Sequence, residues 1–198
     1  MKKIIFATTN QGKVKEVKMI LEDLGVEVLS LKDLDINVDI VEDGTTFEEN
    51  ALIKAKTIAK LSNEIVLADD SGLEVDYLDK APGIMSARYM GEDTSYDIKN
   101  QAIIDQLAEA KGKERSARFV CAIACAMPDG ETFTTRGTIE GEIGYKIEGT
   151  EGFGYDPIFY VPEFGCTTAQ LTPEQKNKVS HRGKALEEMK KILRQKII

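Results

Sequence analysis

Residues 66–73 read Val-Leu-Ala-Asp-Asp-Ser-Gly-Leu, an apolar strand that runs into two adjacent carboxylates, Asp69 and Asp70. Ligands of open α/β sheets gather at the C-terminal ends of strands. Neighbouring strand residues point to opposite faces, so at most one of the two acids faces a given site directly. A carboxylate repels phosphate unless a divalent cation intervenes, and Mg²⁺ prefers one or two carboxylates plus water and phosphate oxygens. The competing reading is a turn that merely ends a strand. Further acids lie in Val41-Glu42-Asp43-Gly44-Thr45-Thr46-Phe47-Glu48-Glu49-Asn50. Glu48 and Glu49 are explained as first-turn residues that complement a helix dipole. Glu42 is the candidate for a second metal carboxylate.

Residues 8–13, Thr8-Thr9-Asn10-Gln11-Gly12-Lys13, sit where a strand feeds a helix. Backbone N–H groups and the positive end of the helix dipole collect there, and hydroxyls, an amide and an ammonium group all suit phosphate oxygens. The spacing is not that of a Walker A loop, and a capped helix with an exposed lysine explains the same residues. In Gly149-Thr150-Glu151-Gly152-Phe153-Gly154-Tyr155-Asp156-Pro157 the glycines allow close backbone approach. Phe153 and Tyr155 could stack on a base while Asp156 accepts from ring N–H groups; a turn packed by aromatics is the alternative. Lys176 precedes Ser180-His181-Arg182-Gly183, which holds the single histidine. Arginine is a donor-only fork, suited to a purine oxygen or a phosphate.

These stretches need elements to hold them. Residues 3–7 read as a buried strand. Asn10 caps a helix in which Val14, Val17, Ile20, Leu21 and Leu24 recur at helical spacing, and Gly25 stops it. Residues 26–31 form a second strand, so the chain opens β-α-β with a parallel pair. A helix is expected over 47–61, a short strand over 65–68 ending at the two acids, and a helix over 95–111. Strands are expected over 118–127, 132–138 and 142–147, with a hairpin turn at Asp129-Gly130. Thr172-Pro173-Glu174-Gln175 starts a helix, and residues 184–197 close the chain as an amphipathic one. The reading is an α/β fold with a mixed central sheet, over one domain spanning 1–198, bilobed around a cleft.

Composition sets limits on partners. With 198 residues, 42% hydrophobic and 30% charged, the chain can bury a core without disulfides or a structural metal. Lys+Arg total 26 and Asp+Glu 34, a net charge of −8, which disfavours duplex nucleic acid and anionic membranes. No apolar run is long enough to span a bilayer, and the short start at residues 1–7 is a poor signal peptide. Cys121, Cys125 and Cys166 form no C-x-x-C pair, which speaks against zinc and fits a reducing, cytoplasmic setting.

Taken in order, T-T-N-x-x-K, V-E-D-G-x-T-F-x-E-N-A, A-D-D-S-G-L, A-P-G-x-x-S-A-R-Y, G-F-G-Y-D-P-I-F and S-H-R-x-x-A-L resemble the inosine/xanthosine triphosphate pyrophosphatase family. The match runs from Thr8 to Leu186. The resemblance implies Mg²⁺-dependent hydrolysis of ITP, dITP and XTP to a monophosphate and pyrophosphate by a homodimer. It implies that Thr8 to Lys13 and Lys176 hold the triphosphate, that Asp70 accepts the proton of the attacking water and contacts metal, and that Glu42 is a further metal contact. Ser71 would touch substrate, and Phe153, Gly154, Tyr155, Asp156, His181 and Arg182 would enclose the base. Arg182 facing the 6-keto oxygen would leave adenine's amino donor unpaired, a loss of about 1–3 kcal/mol. Two other readings remain: a Maf-type pyrophosphatase of pyrimidine or modified nucleotides, and a nucleotide sensor without turnover.

Overall fold

A computed structural model describes residues 2–197. Its strands are β1 (Lys3–Phe6), β2 (Glu27–Ser30), β3 (Ile65–Val75), β4 (Ser116–Ala126), β5 (Thr132–Ile143), β6 (Phe159–Val161) and β7 (Cys166–Thr167). Its α-helices are α1 (Gln11–Leu21), α2 (Phe47–Ser62), α3 (Tyr96–Gln106), α4 (Pro173–Val179) and α5 (His181–Ile197). The strands form one sheet in the order β2-β1-β3-β4-β5-β6-β7. β1 pairs in parallel with β2 and β3, whereas β5–β6 and β6–β7 are antiparallel, so the sheet is mixed as expected.

The chain divides into two compact units. The first comprises the chain through Asp70, Cys121–Gly137 and the chain from His181; the second comprises Ser71–Val120 and Thr138–Ser180. Each has its own core. In the first, Val14, Val17 and Leu21 of α1 and Leu186, Met189 and Leu193 of α5 pack with Ile4, Phe6, Leu67, Cys121 and Ile123 of the strands. The 3.6-residue spacing of those apolar positions puts them on one stripe of each helix. In the second, Ile103 and Leu107 pack with Leu73, Val75, Ile139 and Ile158, and the Phe119 and Phe159 rings lie 4.3 Å apart. Burying each such side chain stabilises the fold by about 1.5–3 kcal/mol.

Three expectations need correction. The strand expected to stop at Ala68 continues through both acids to Val75 as β3. Two carboxylates followed by Ser-Gly read locally as a turn, but tertiary partners satisfy both acids and let the ladder continue. The two strands expected over 132–138 and 142–147 are a single strand, β5, with Gly141 inside it. A Cβ there would lie 2.6 Å from the Tyr160 carbonyl oxygen, so glycine admits β6 rather than ending a strand. The helix expected over 95–111 ends at Gln106, and β6 and β7 are too short to show in the pattern.

Candidate active site

The two acids of β3 take different partners, as the alternation of a strand requires. Asp69 is 1% exposed. Its Oδ2 lies 2.8 Å from Lys13 Nζ, and Arg182 Nε and Nη2 each donate to it at 3.4 Å. Arg182 Nη1 pairs with Glu16 of α1. Burial alone would raise the Asp69 carboxyl, but Lys13, Arg182 and Lys54 outweigh it and hold Asp69 far below the usual carboxylate range. Burial likewise opposes the Arg182 charge, and Glu16 and Asp69 more than offset it. Asp69 therefore joins α1, β3 and α5 through one carboxylate, and Lys13 is aimed by it.

Asp70 has the other environment. Asn50 Nδ2 donates to its Oδ2 at 3.1 Å, and Lys54 Nζ stands 4.0 Å from its Oδ1. The same ammonium group lies 2.6 Å from Glu42 Oε1. Burial raises the Asp70 carboxyl; Lys54 and the Asn50 hydrogen bond pull it down, and the like charges of Glu42 and Asp69 push it up, leaving it at about 6. A carboxylate poised there is ionised at neutral pH and still basic enough to accept a proton.

The local sequence builds this corner. Thr46 caps α2 by accepting from Glu49 N–H, and Asn50 and Lys54, four residues apart, share a helix face. Asn50 Oδ1 accepts the Gly44 N–H at 2.8 Å. A Cβ on Gly44 would lie 2.6 Å from that oxygen, so only glycine lets the segment carrying Glu42 approach.

At the head of α1, Asn10 Oδ1 accepts the N–H groups of Gly12 and Lys13 at 2.9 and 3.2 Å, and Thr8 Oγ1 accepts from Asn10 N–H. Those two helix N–H groups are thus taken by the cap, not free as the sequence suggested. The Thr9 hydroxyl and Asn10 Nδ2 bond to nothing among the described residues, and Gln11 Nε2 donates only to the Thr9 carbonyl at 3.4 Å. This strand-to-helix corner, with Lys13, stands in the same unit as Asp69, Asp70, Glu42 and Arg182.

Ser71, Phe153 to Asp156 and Lys176 belong to the second unit. Asp156 is 3% exposed and anchors its own loop. Its Oδ2 accepts from Phe153 N–H at 2.9 Å and Lys176 Nζ at 2.7 Å, and its Oδ1 from Thr168 Oγ1 at 2.8 Å. Gly152 has φ +75°, and a Cβ there would meet Asp156 Oδ2 at 2.2 Å, so no other residue fits the turn. Lys176 Nζ lies 4.6 Å from the Phe153 ring centroid. Lys176 thus stands with the aromatic loop, in a different unit from residues 8–13. Tyr155 is buried: its hydroxyl donates to the Ser86 carbonyl at 2.6 Å and its ring meets Tyr96 edge-on. Phe153, half-buried, is the aromatic nearer the surface, and Asn100 Nδ2 donates to the Gly154 carbonyl at 3.1 Å.

His181 opens α5 and is buried, and Arg182 beside it is 2% exposed. Arg182, the candidate reader of a keto oxygen, is anchored here by Asp69 and Glu16. The sequence reading missed Asn50, Lys54, Glu16 and Thr168. Asn50 and Lys54 carried a signal, since they fall at i and i+4 of the helix that follows Glu42; Glu16 and Thr168 carried none.

Among the described residues no group of three or more His, Cys, Asp or Glu is arranged to hold a metal. The donor pair Glu42 and Asp70 nonetheless fits Mg²⁺, which takes one or two carboxylates and leaves its other positions to water and phosphate. Glu42 Oε1 is buried and makes no aligned hydrogen bond; its contact is the Lys54 ion pair. No helix among the described residues is long and apolar enough to cross a membrane.

Fold and site together define an α/β protein that gathers Lys13, Lys54 and Arg182 from three helices around two adjacent carboxylates on one strand of a mixed sheet. The family model described as the Ham1 family matches residues 4–192, and the chain belongs to that family. It is 50% identical over 191 residues to the dITP/XTP pyrophosphatase of Exiguobacterium sibiricum, covering 96% of each chain. It is 48% identical to the dITP/XTP pyrophosphatase of Clostridium perfringens, covering 98% of each. Among solved structures, the Staphylococcus aureus Ham1 protein is 44% identical with a TM-score of 0.86, over 98% of this chain and 100% of that one. The Coxiella burnetii HAM1 protein is 41% identical with a TM-score of 0.88 at the same coverage.

Proposed function

We propose that this chain is a nucleoside triphosphate pyrophosphatase that hydrolyses dITP and XTP, and with them ITP, to the nucleoside monophosphate and pyrophosphate. The observation that carries the reading is the pairing of two environments on β3: Asp69 ionised and aiming Lys13, Asp70 held near 6 beside Glu42 and Lys54. Likeness to dITP/XTP pyrophosphatases over nearly the whole chain supports it.

In this reading the water oxygen bonds to the α-phosphorus, its proton passes to Asp70, and the bond to the bridging oxygen breaks so that pyrophosphate leaves. Glu42 and Asp70 would hold Mg²⁺, which when bound supplies neutralising charge to the phosphates and the leaving group. Lys13, the Thr8 and Thr9 hydroxyls, Asn10 Nδ2 and Gln11 bind phosphate oxygens, Gly12 lets them approach the helix start without a side chain in the way, and Ser71 touches the substrate.

Phe153 stacks on the base, and Gly154 and Tyr155 shape the loop. Asp156 accepts a ring N–H through a lone pair that Thr168 leaves open. The place of Lys176 beside Asp156 and Phe153 supports a part at the base, in exchange for the triphosphate part that the resemblance implied. His181 and Arg182 enclose the base, and a donor of Arg182, whose guanidinium is anchored on Asp69, turned to the 6-keto oxygen favours oxo-purines over adenine. The enzyme is cytoplasmic and homodimeric in this reading, on the strength of the family resemblance.

The test incubates the chain with dITP, XTP and dATP and Mg²⁺, and separates pyrophosphate from orthophosphate. The expected result is pyrophosphate and a monophosphate from dITP and XTP, with dATP much slower. Release of orthophosphate, or equal rates on dATP, overturns it.

A further inference from the structure

Asn50 is 1% exposed, and both ends of its amide are spoken for. Oδ1 accepts the Gly44 N–H at 2.8 Å and Nδ2 donates to Asp70 Oδ2 at 3.1 Å. The orientation has no freedom. A backbone N–H only donates, so the oxygen must face Gly44 and the NH₂ must face Asp70. Gly44 lies two residues from Glu42, and Asn50 sits in the second turn of α2 with Lys54 one turn further on. The amide thus ties the segment carrying Glu42 to the strand carrying Asp70, and it presents donors, never acceptors, to that carboxylate.

We infer that Asn50 is a positioning residue for the catalytic carboxylate: it fixes which oxygen of Asp70 is occupied by a hydrogen bond and keeps the other for water or substrate. The inference rests on the pyrophosphatase reading. It goes beyond it in giving α2 a part in the chemical step, through a residue that touches neither substrate nor metal. Partners that orient an acting carboxylate typically matter 10–100-fold in activity.

The informative variant is N50D. One carboxylate oxygen still accepts the Gly44 N–H, so the bond that holds the loop survives. The other faces Asp70 Oδ2 as an added like charge, so the two carboxyls share a proton until the pH is high enough to ionise both, and only then is the donor lost. Read on that high-pH plateau, a purely structural Asn50 predicts a kcat for dITP close to the parent's, whereas a positioning Asn50 predicts a plateau kcat lowered about 10-fold or more, with KM changed no more than about two-fold and a cooperative melting transition retained. A kcat within two-fold of the parent, or a KM effect alone, overturns the inference.

A second measurement covers the case in which N50D does not fold. In ¹⁵N spectra of the parent chain the Asn50 side-chain NH₂ protons should exchange slowly with solvent, and D70A should speed that exchange at least several-fold. Equal exchange in the two proteins overturns the inference. If the parent releases no pyrophosphate from dITP, the pyrophosphatase reading fails while the exchange measurement still decides the Asn50–Asp70 coupling.

Discussion

Asp69 and Asp70 are consecutive residues of one strand, yet their carboxyls sit on opposite sides of the ordinary value. Lys13 and Arg182 overcome burial to hold Asp69 far down, while burial prevails at Asp70 and lifts it to about 6. Strand alternation sends the two side chains to different neighbourhoods, and the number of cations in each decides the outcome. One acid is a permanent anion that organises cations; the other is a titrating group.

Asp70→Asn should abolish turnover, leave nucleotide binding largely intact and stabilise the metal-free protein at pH 7.5. The carboxyl rises from 3.8 to about 6 on folding, so between those values the native state binds more protons than the unfolded chain. Stability from this group therefore falls as pH rises through that window, and above it the buried anion costs about 3 kcal/mol. Denaturant melts in EDTA should show a gain of about 1–3 kcal/mol at pH 7.5 that shrinks towards pH 4. Near-normal turnover would remove Asp70 from its role, and a loss of stability at pH 7.5 would contradict the burial argument.

The pH dependence of kcat/KM for dITP reports the free enzyme's essential groups. With free Mg²⁺ low enough that the free enzyme holds no cation, it should climb with pH to a shoulder near 6 and then level, because Asp70 accepts a proton only when ionised. A profile flat from pH 5 to 8 would mean that another group, or none, takes the proton.

Arg182→Ala leaves Glu16 and Asp69 buried without their guanidinium. Breaking such a cluster typically costs about 3–5 kcal/mol, and Lys13 remains to pair with Asp69. We expect a loss in that range by urea melts at pH 7.5, with part recovered in the double variant Glu16→Gln, Arg182→Met. The dITP-to-dATP ratio of the folded variant should fall as well. A loss under about 1 kcal/mol would show that the buried ion pairs contribute little, and an unchanged ratio would refute base reading by Arg182.

The outer parts of the fold were legible because their signals are local. Asn10 before the Val14, Val17, Leu21 stripe announces α1, and Thr172-Pro173 announces α4. β3 was read too short because two acids followed by Ser-Gly look like a strand's end when nothing shows what they meet. β5 was split because a glycine inside a strand and a glycine ending one are the same letter. The hydrogen bond of Tyr155 was not legible, since an aromatic between glycines carries no mark of the Ser86 carbonyl that its hydroxyl meets.

The sequence by itself determined the inventory: an α/β chain with acids on an apolar strand, a capped strand-to-helix corner bearing Lys13, and an aromatic loop around Asp156. Periodicity and capping are properties of neighbouring residues, so they survive in the linear order. Only the tertiary structure decided which charges meet. Asp69 is 113 residues from Arg182, and Asp70 is 20 from Asn50. Whether a carboxyl is a fixed anion or a proton acceptor depends on burial and on cations brought in from such distances, and electrostatic energy follows separation in space, not in sequence.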